Sequence, residues 1–405
     1  MIIGIPRETA EDETRVALVP PAAKDLIEDG HEVCVAATAG EGSDWADADY
    51  REVGCDVLED RETVFERADI IVQVRALGAT PGDDVDPYTE GQVVVGQLGP
   101  YDLDEELELL ADRGVTALAL ELIPRISRAQ SMDALTSQAS IGGYKSAIVA
   151  AEALPKMYPL QMTAAGTVQP SEVFVVGAGV AGLQAIATAD RLGASVRGYD
   201  IRLEVKQEVE SLGADFVELD LETEGSGDDE GYAREMDDEF LEQQRKELTR
   251  VVGESDVVIT TAAVPGRPAP ELVTTEMVEG MDPGSVIIDL SAATGGNCEL
   301  TVPDETVEHD GVTIHGPTNL PATVSHHASQ LYSNNIANFL ENLYDDDTGE
   351  IDTDDEIVDS TMLTHAGEVQ WTHPAERPDP DEASEDDQND GSGEEAADVE
   401  VDDED

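Results

Sequence analysis

A glycine-rich turn between an apolar strand and a helix limits the possible folds of this chain more than any other feature. The continuous apolar run Val173 to Val176 leads directly into Gly177-Ala178-Gly179-Val180-Ala181-Gly182, and residues 183–192 continue at helical spacing. In such turns the first glycine permits a tight bend, the second lets the backbone approach a pyrophosphate, and the third allows close packing of helix and strand. The pattern predicts a dinucleotide site on a doubly wound parallel sheet.

An acidic residue at the end of the next strand refines this prediction. The segment Val196 to Tyr199 reads as a strand and ends at Asp200, 18 residues after Gly182. A carboxylate there can accept hydrogen bonds from both adenosine ribose hydroxyls and would repel a 2′-phosphate. NAD(H) is therefore favoured over NADP(H), although the nearby Arg202 would weaken the preference. The alternative, a solvated loop acid, fits the strand-end position less well.

Strands and helices alternate in two sets along the chain, which is typical of parallel sheets covered on both faces. A long segment, 134–156, predicts a buried helix that crosses between two domains, and 329–340 predicts a helix that returns to the first. We therefore expect an α/β protein with two Rossmann-like doubly wound domains joined by long interdomain helices. The expected division is 1–133 with 326–373 (first domain), 134–325 (nucleotide-binding domain) and 374–405 (disordered acidic tail). A hairpin is predicted over 357–371, with its turn at Ala366-Gly367.

The chain is strongly acidic, with a formal net charge of −69. The residues after Arg377 contain 15 acids and no base, so the remainder still has a net charge of −54. Such a surface repels nucleic acid and anionic lipid, and we expect neither as a partner. Because salt screens repulsion between carboxylates, we interpret the charge as a halophilic adaptation to a salt-rich cytoplasm.

Other features bear on location and on metals. The cysteines Cys34, Cys55 and Cys298 lack metal-ligand spacing, which predicts buried thiols in a reducing compartment and no metal site. The beginning of the chain lacks a charged leader before an apolar run, and no run approaches the ~20 apolar residues of a membrane span. These features predict a cytoplasmic protein without direct membrane insertion.

A second cluster of polar residues lies in the segment Arg125-Ile126-Ser127-Arg128-Ala129-Gln130-Ser131-Met132-Asp133, just before the long helix. Arginine is scarce here, so two arginines in four residues call for an explanation. A loop at a domain cleft is a common place for ligand contacts. Pairing of Arg125 or Arg128 with surface carboxylates is an equally good interpretation from spacing alone.

This 125–133 segment resembles the signature loop of the NAD(H)-binding alpha subunit of proton-translocating NAD(P) transhydrogenases, a family related to alanine dehydrogenase. The resemblance covers residues 2 to about 371. Further similar segments are Ile3-Gly4-Ile5-Pro6-Arg7-Glu8, Arg15-Val16-Ala17, Gly182-Leu183-Gln184-Ala185-Ile186-Ala187-Thr188-Ala189, Gly231-Tyr232-Ala233, Pro265-Gly266-Arg267-Pro268-Ala269-Pro270 and Gly295-Gly296-Asn297-Cys298.

The resemblance implies roles for individual positions. Residues matching Arg125, Gln130 and Asp133 contact the nicotinamide end of NAD(H) and carry the catalytic role. Gly231 and Tyr232 match a mobile loop that closes over the nucleotide, although acids crowd that loop here. Thr136 stands where a serine is expected. The other implied cofactor contacts are Ile126, Ser127, Ser131, Met132, Gly177, Gly179, Val180, Gly182, Asp200, Ile201, Arg202 and Thr261.

The implied reaction is direct hydride transfer between NADH and NADP+ held on a partner subunit, coupled to proton translocation. An alanine or amino-acid dehydrogenase is the first alternative, but Arg75 and Gln97 stand where such enzymes carry a lysine and a histidine; Arg15 could still bind a carboxylate. A nucleotide sensor that only binds NAD(H) is the second alternative.

The resemblance also implies partners. Membrane-embedded and NADP(H)-binding transhydrogenase subunits would hold this chain at the inner face of the cell membrane as a peripheral subunit. A homodimer is implied as well, with the 357–371 hairpin as a candidate interface.

Overall fold

The computed structural model describes residues 1–80, 85–103, 105–218, 238–345 and 348–374. The strands in this part of the chain are β1 (Ile2–Ile5), β2 (Glu32–Ala36), β3 (Asp56–Leu58), β4 (Ile70–Arg75), β5 (Val93–Gln97), β6 (Thr116–Ala119), β7 (Gln161–Thr163), β8 (Gly166–Val168), β9 (Glu172–Val176), β10 (Ser195–Tyr199), β11 (Asp215–Phe216), β12 (Val257–Thr260), β13 (Val286–Asp289), β14 (Thr306–His309), β15 (Val312–His315), β16 (Met362–His365) and β17 (Glu368–Val369). The helices are α1 (Pro20–Glu28), α2 (Asp47–Val53), α3 (Arg61–Arg67), α4 (Glu105–Asp112), α5 (Ala134–Ala153), α6 (Val180–Arg191), α7 (Lys206–Ser211), α8 (Asp238–Gly253), α9 (Thr275–Glu279), α10 (Ser325–Glu341) and α11 (Glu356–Thr361).

The first sheet is doubly wound, as predicted. Its strand order is β17-β16-β6-β5-β4-β1-β2-β3, and strands β1 to β6 pair in parallel. The order reverses between β1 and β4, the arrangement of a Rossmann-like sheet. Strand β16, from the end of the described chain, pairs antiparallel with β6. The first sheet is therefore built from both ends of the sequence.

The second sheet is also doubly wound and has the order β11-β10-β9-β12-β13-β15-β14. All its pairs are parallel except the β14–β15 hairpin. The chain builds outward from β9 in one direction through β10 and then returns to β12 on the other side. The switch point of the sheet thus lies beside β9, where ligands usually bind at the carboxyl ends of the strands.

Buried apolar side chains form three clusters. One surrounds the first sheet and draws its members from residues 3–134 and 332–371, and the other two cover the two faces of the second sheet. Strand interiors such as Val173 to Val176 are buried on both faces, which explains their continuous apolar sequences.

The long helix α5 begins at Ala134, with Asp133 as its N-cap, and ends before Leu154-Pro155 because a residue that precedes proline disfavours helical geometry. The expected return helix is α10. Its Ser329 and Ser333 hydroxyls accept hydrogen bonds from the amides of Val16 (3.1 Å) and Val19 (2.9 Å). These contacts fix α10 against the start of the chain.

The predicted hairpin over 357–371 is partly wrong, because its first residues form helix α11. The carboxylate of Asp355 accepts the amides of Ile357 and Val358 and so caps that helix. The turn lies where expected, with positive φ at Ala366 (51°) and Gly367 (83°). The predicted tail, apart from Pro374, lies outside the described residues.

The hairpin β7–β8 was not anticipated from the sequence. It follows α5, and every residue of both strands is exposed. Among the described residues, no helix is both long and apolar enough to cross a membrane.

Candidate nucleotide-binding site

The turn after β9 has a different physical requirement at each glycine. Gly177 has φ +99°, and a Cβ there would lie 2.5 Å from the Thr261 hydroxyl. A Cβ on Gly182 would lie 1.7 Å from the carbonyl oxygen of Gly177, whereas a Cβ on Gly179 would meet nothing within 4 Å. The first and third positions are thus closed by the protein itself. The second faces open space, where a ligand can approach the backbone.

At this open side, the first amides of α6 have no side-chain cap among the residues that the structure describes. Gly179 is the N-cap of α6 and supplies no side-chain hydrogen bond, and Val180 is exposed. Helix amides that lack a capping partner, together with the positive end of the helix dipole, attract phosphate. Thr261 braces the turn from β12, since its hydroxyl donates to the Gly177 carbonyl at 3.1 Å.

Asp200 lies at the end of β10 and is buried, but its carboxylate is already occupied. It accepts hydrogen bonds from the amides of Ala178 (2.8 Å) and Arg202 (2.9 Å), and from the Arg202 guanidinium at 3.0 Å on each oxygen. Burial raises the pKa of this carboxyl, but the hydrogen bonds from Arg202 outweigh it and bring the pKa below its ordinary value. For a ribose to reach this carboxylate, the Arg202 side chain must move. Ile201 beside it is exposed.

The two arginines of the 125–133 loop differ in their contacts. Arg125 is exposed and makes no hydrogen bond or ion pair with any residue that the structure describes. Arg128 instead bonds Asp355 at 2.6 Å and the Asn342 side chain at 2.9 Å. The sequence left open whether these arginines bind a ligand or pair with carboxylates of the protein. In the structure Arg128 pairs with a carboxylate, and Arg125 is free to contact a ligand.

Asp133 has a structural task in this loop. Its Oδ1 accepts the amide of Thr136 at 2.8 Å and its Oδ2 accepts the Thr136 hydroxyl at 2.6 Å. Asp133 thus caps α5, a role that the sequence interpretation missed although an Asp before a helical run is a typical N-cap. Of the remaining loop positions, Ser127, Gln130 and Ser131 are exposed, Ile126 is partly buried, and Met132 is buried.

Helix α5 connects the two halves of the site. The 125–133 loop precedes its first turn, and ten residues later Gly143 contacts α6 so closely that a Cβ would lie 2.0 Å from the Ala181 carbonyl oxygen. Ten helical residues span about 15 Å. This is a distance that an extended dinucleotide can bridge. Of the candidate site residues, Gly231 and Tyr232 lie outside the described residues.

A buried carboxylate that was not singled out in the sequence supports the backbone next to Thr261. Asp289, at the end of β13, accepts the amides of Asn297 (2.7 Å) and Cys298 (3.0 Å). The Asn297 side chain in turn bonds both backbone groups of Ala262. The Gly295-Gly296-Asn297-Cys298 segment therefore belongs to a hydrogen-bond network between Asp289 and Ala262, and its sequence could have indicated this structural role.

A further polar cluster lies at the carboxyl edge of the first sheet. The Arg15 side chain is 3% exposed and forms a two-pronged ion pair with the fully buried side chain of Glu13, with contacts of 2.8 and 2.6 Å. Its remaining donors reach Gln138 on α5 and Asn319 before α10. The side chains of Glu13, Gln138 and Asn319 thus occupy four of the five N–H groups of the Arg15 guanidinium.

The doubly wound sheets and the open glycine turn at a switch point define an α/β protein that binds a nucleotide. Family models identify it further: the N-terminal domain of alanine dehydrogenase/PNT matches residues 4–142, and the C-terminal domain matches residues 146–372. The chain belongs to the alanine dehydrogenase/PNT family, which implies binding of a nicotinamide nucleotide.

Individual relatives refine the placement. The chain is 43% identical to an NAD(P) transhydrogenase alpha-subunit chain of Rhodospirillum rubrum over 93% of its own length and 98% of that protein. The crystal structure of transhydrogenase from Sinorhizobium meliloti is 40% identical, covers 91% of this chain and 100% of that chain, and superposes with a TM-score of 0.81. Alanine dehydrogenase of Bacillus subtilis is 31% identical over 80% of each protein. These similarities support an NAD(P) transhydrogenase role.

Proposed function

We propose that this chain is the NAD(H)-binding alpha subunit of a proton-translocating NAD(P) transhydrogenase. The observation that carries the proposal is a site with two open ends. The amides of Gly179 and Val180, which no side chain caps, suit a pyrophosphate at one end. Arg125, which has no hydrogen-bond or ion-pair partner among the described residues, suits the nicotinamide carboxamide and ribose at the other. The partner subunits would hold NADP(H), carry the membrane spans and keep this chain at the inner face of the membrane.

NAD(H) is the expected nucleotide because Asp200 is ionised and buried at the strand end where dinucleotide-binding folds usually receive the adenosine ribose. A 2′-phosphate there would face a carboxylate with little water to screen it. Arg202 partly offsets this repulsion, since its guanidinium lies on the same carboxylate. We infer a preference for NAD(H) that is strong but reduced by Arg202.

The proposed reaction depends on the relative position of two nicotinamide rings more than on acid–base catalysis. Hydride transfer between two nicotinamide rings removes no proton from a substrate, so no general base is needed. Arg125 and Gln130 would bind and orient the ring of NADH, while the Asp133–Thr136 cap keeps their loop at the start of α5. Thr261 holds the phosphate turn in shape.

The amino-acid dehydrogenase alternative is disfavoured by the first-sheet cluster. The Glu13 carboxylate occupies the Arg15 fork that would otherwise receive a substrate carboxylate. Arg75 donates to the Ala79 carbonyl at 2.8 Å. Gln97 also stands in place of the histidine, so the positions at which such enzymes bind the substrate carboxylate and carry the lysine and histidine are either occupied or replaced here.

The test is reconstitution of hydride transfer. The purified chain should reduce a thio-NADP analogue from NADH after addition of membranes that contain the NADP-binding subunits, and should form no NADH from NAD+ and alanine. Arg125→Gln should slow transfer at least tenfold, whereas Arg51→Gln, an exposed arginine on α2, should not. Alanine-dependent NADH formation would favour the dehydrogenase, and NADH binding without transfer to any partner would favour the sensor.

For the homodimer, the exposed β7–β8 hairpin is a better candidate interface than residues 357–371. Strand β16 of that earlier candidate lies inside the first sheet. Residues 157–171 contain no charged side chain in a chain that is 28% charged, and Leu160, Met162 and Val168 are exposed there. An uncharged apolar patch is where two like-charged copies can approach each other.

Light scattering at high salt tests the dimer. Met162→Asp should convert a dimer to a monomer, while Leu109→Asp, at an equally apolar but isolated position on α4, should not. A monomeric parent protein, or a dimer that tolerates Met162→Asp, would contradict this interface.

A further inference from the structure

Arg128 connects the 125–133 loop to a segment more than two hundred positions away. Its Nη1 lies 2.6 Å from Asp355 Oδ2 and donates to Asn342 Oδ1 at 2.9 Å. Asn342 also donates to the other Asp355 oxygen at 3.1 Å. The three side chains form a closed triangle, which we call the loop clamp.

The clamp is attached to regular structure on its far side. Asn342 is the C-cap of α10, and Asp355 caps α11 through the amides of Ile357 and Val358. The Asp355 side chain is 14% exposed, so its partners are well fixed, while Arg128 remains half exposed. A carboxylate that also caps a helix is a rigid anchor for a guanidinium.

A second contact holds the same loop near its other end. Asn335 of α10 donates to the Ser131 carbonyl at 2.8 Å and accepts from the Ser137 hydroxyl at 2.7 Å. The loop is therefore fastened by α10 and by the clamp. Arg125 and Gln130, which lie on either side of Arg128, remain exposed.

We propose that Arg128, held by Asp355 and Asn342, is a positioning residue that presets the 125–133 loop so that Arg125 meets the nicotinamide end of the nucleotide. This inference rests on the proposed function, which places that end at Arg125. An unfastened loop would have to be ordered during binding, and the entropy lost at that step reduces affinity. Only ligands that reach the loop would be affected.

Comparing two ligands distinguishes the contributions of the two ends of the site to binding. NADH reaches both the phosphate turn and the loop, whereas ADP lacks the nicotinamide ring and its ribose and does not depend on Arg125. We would measure dissociation constants of both ligands by calorimetry for the full chain and for Asp355→Asn, Arg128→Gln, Arg128→Lys and Arg125→Gln. Asparagine caps helices about as well as aspartate, so Asp355→Asn keeps the α11 cap while removing the charge. Arg51→Gln, which breaks an exposed ion pair on α2, is the matched control.

We expect Asp355→Asn and Arg128→Gln to weaken NADH binding about three- to tenfold and to change ADP binding less than twofold. Arg128→Lys should restore most of the NADH affinity because it keeps one charged hydrogen bond. Melting temperatures of the Arg128 variants should stay near that of the parent protein, since an ion pair made by a half-exposed arginine contributes little to stability. Equal weakening of both ligands, or of neither, overturns the positioning role.

The Arg125→Gln variant identifies which inference fails. If it lowers the affinity for NADH but the clamp variants do not, the clamp is structural and the proposed function stands. If Arg125→Gln leaves the ratio of NADH to ADP affinity unchanged, the nicotinamide end does not lie at this loop, and the proposed function fails there.

Discussion

Gly142 and Gly143 are neighbours in α5, but only one of them faces another backbone. A Cβ on Gly142 would meet nothing within 4 Å, whereas a Cβ on Gly143 would lie 2.0 Å from the Ala181 carbonyl oxygen in the first turn of α6. Alanine at the two positions should therefore have opposite effects, although the substitutions are chemically identical.

The magnitudes follow from the contacts. Alanine in a helix interior is about 1 kcal/mol more favourable than glycine, so Gly142→Ala should raise the free energy of unfolding by up to that amount. Ordinary Cβ contacts begin near 3.4 Å. Gly143→Ala would therefore have to push α6 away by about 1.4 Å, and overpacking of this kind costs about 3 kcal/mol. The gain of about 1 kcal/mol in helix propensity offsets part of this cost, so Gly143→Ala should lower the free energy of unfolding by about 2 kcal/mol.

The displacement also reaches the phosphate turn, since Ala181 lies between Val180 and Gly182. We expect Gly143→Ala to weaken NADH binding about tenfold, equivalent to about 1.4 kcal/mol, and Gly142→Ala to leave it unchanged. Urea unfolding and calorimetric titration with NADH, both at high salt, measure the two effects. If both variants shift stability in the same direction, the close approach of α5 and α6 does not govern this site.

Three further expectations concern charge. Asp200→Asn should reduce NADH affinity about tenfold and NADPH affinity much less, measured by titration; an equal loss for both would show that this carboxylate does not discriminate between them. Desolvation raises the pKa of the partly buried Glu8 to about 8, whereas in the unfolded chain it titrates near its ordinary value. The folded state therefore retains a proton on Glu8 that the unfolded state has lost, and this group alone should lower the free energy of unfolding from about pH 5 to about pH 8 by at most about 1.4 kcal/mol per pH unit. Glu8→Gln should make the pH dependence of urea unfolding less steep, and parallel pH profiles would contradict it. Finally, the melting temperature should rise as KCl increases from about 0.1 M to about 1 M, because the Debye length shortens from about 10 to 3 Å; a melting temperature that does not depend on salt would refute the halophilic interpretation.

Local patterns were sufficient to predict much of the fold. The apolar runs that became β1, β4, β5 and β9 are continuous because both sheet faces are covered, so composition alone marks them. The glycine turn could be predicted for the same reason, since its requirements come from residues within or beside it. Short elements such as α2, β3 and α3 were missed because their sequences are too brief and too charged to show a period.

Contacts between residues that are distant in the sequence could not be predicted. Spacing could not tell Arg125 from Arg128, because the difference depends on Asn342, 214 positions from Arg128. The same holds for Arg15, whose partner Glu13 is only two positions away but whose orientation is fixed by Gln138 and Asn319. Long-range pairing decides such roles, and a single sequence does not encode it in a readable pattern.

The first sheet, built from both ends of the chain, has a consequence for the order of synthesis. The ribosome releases β1 to β6 first, but the outer edge of β6 stays uncovered until β16 emerges, and the Thr364 hydroxyl then bonds the Val115 carbonyl, 249 positions earlier. The second sheet is complete in the meantime. A nascent chain stopped before α10 leaves the amides of Val16 and Val19 without their serine partners. The first sheet therefore begins to form first and is completed last. A chain that ends before α10 would expose unpaired amides near its N-terminus, at Val16 and Val19.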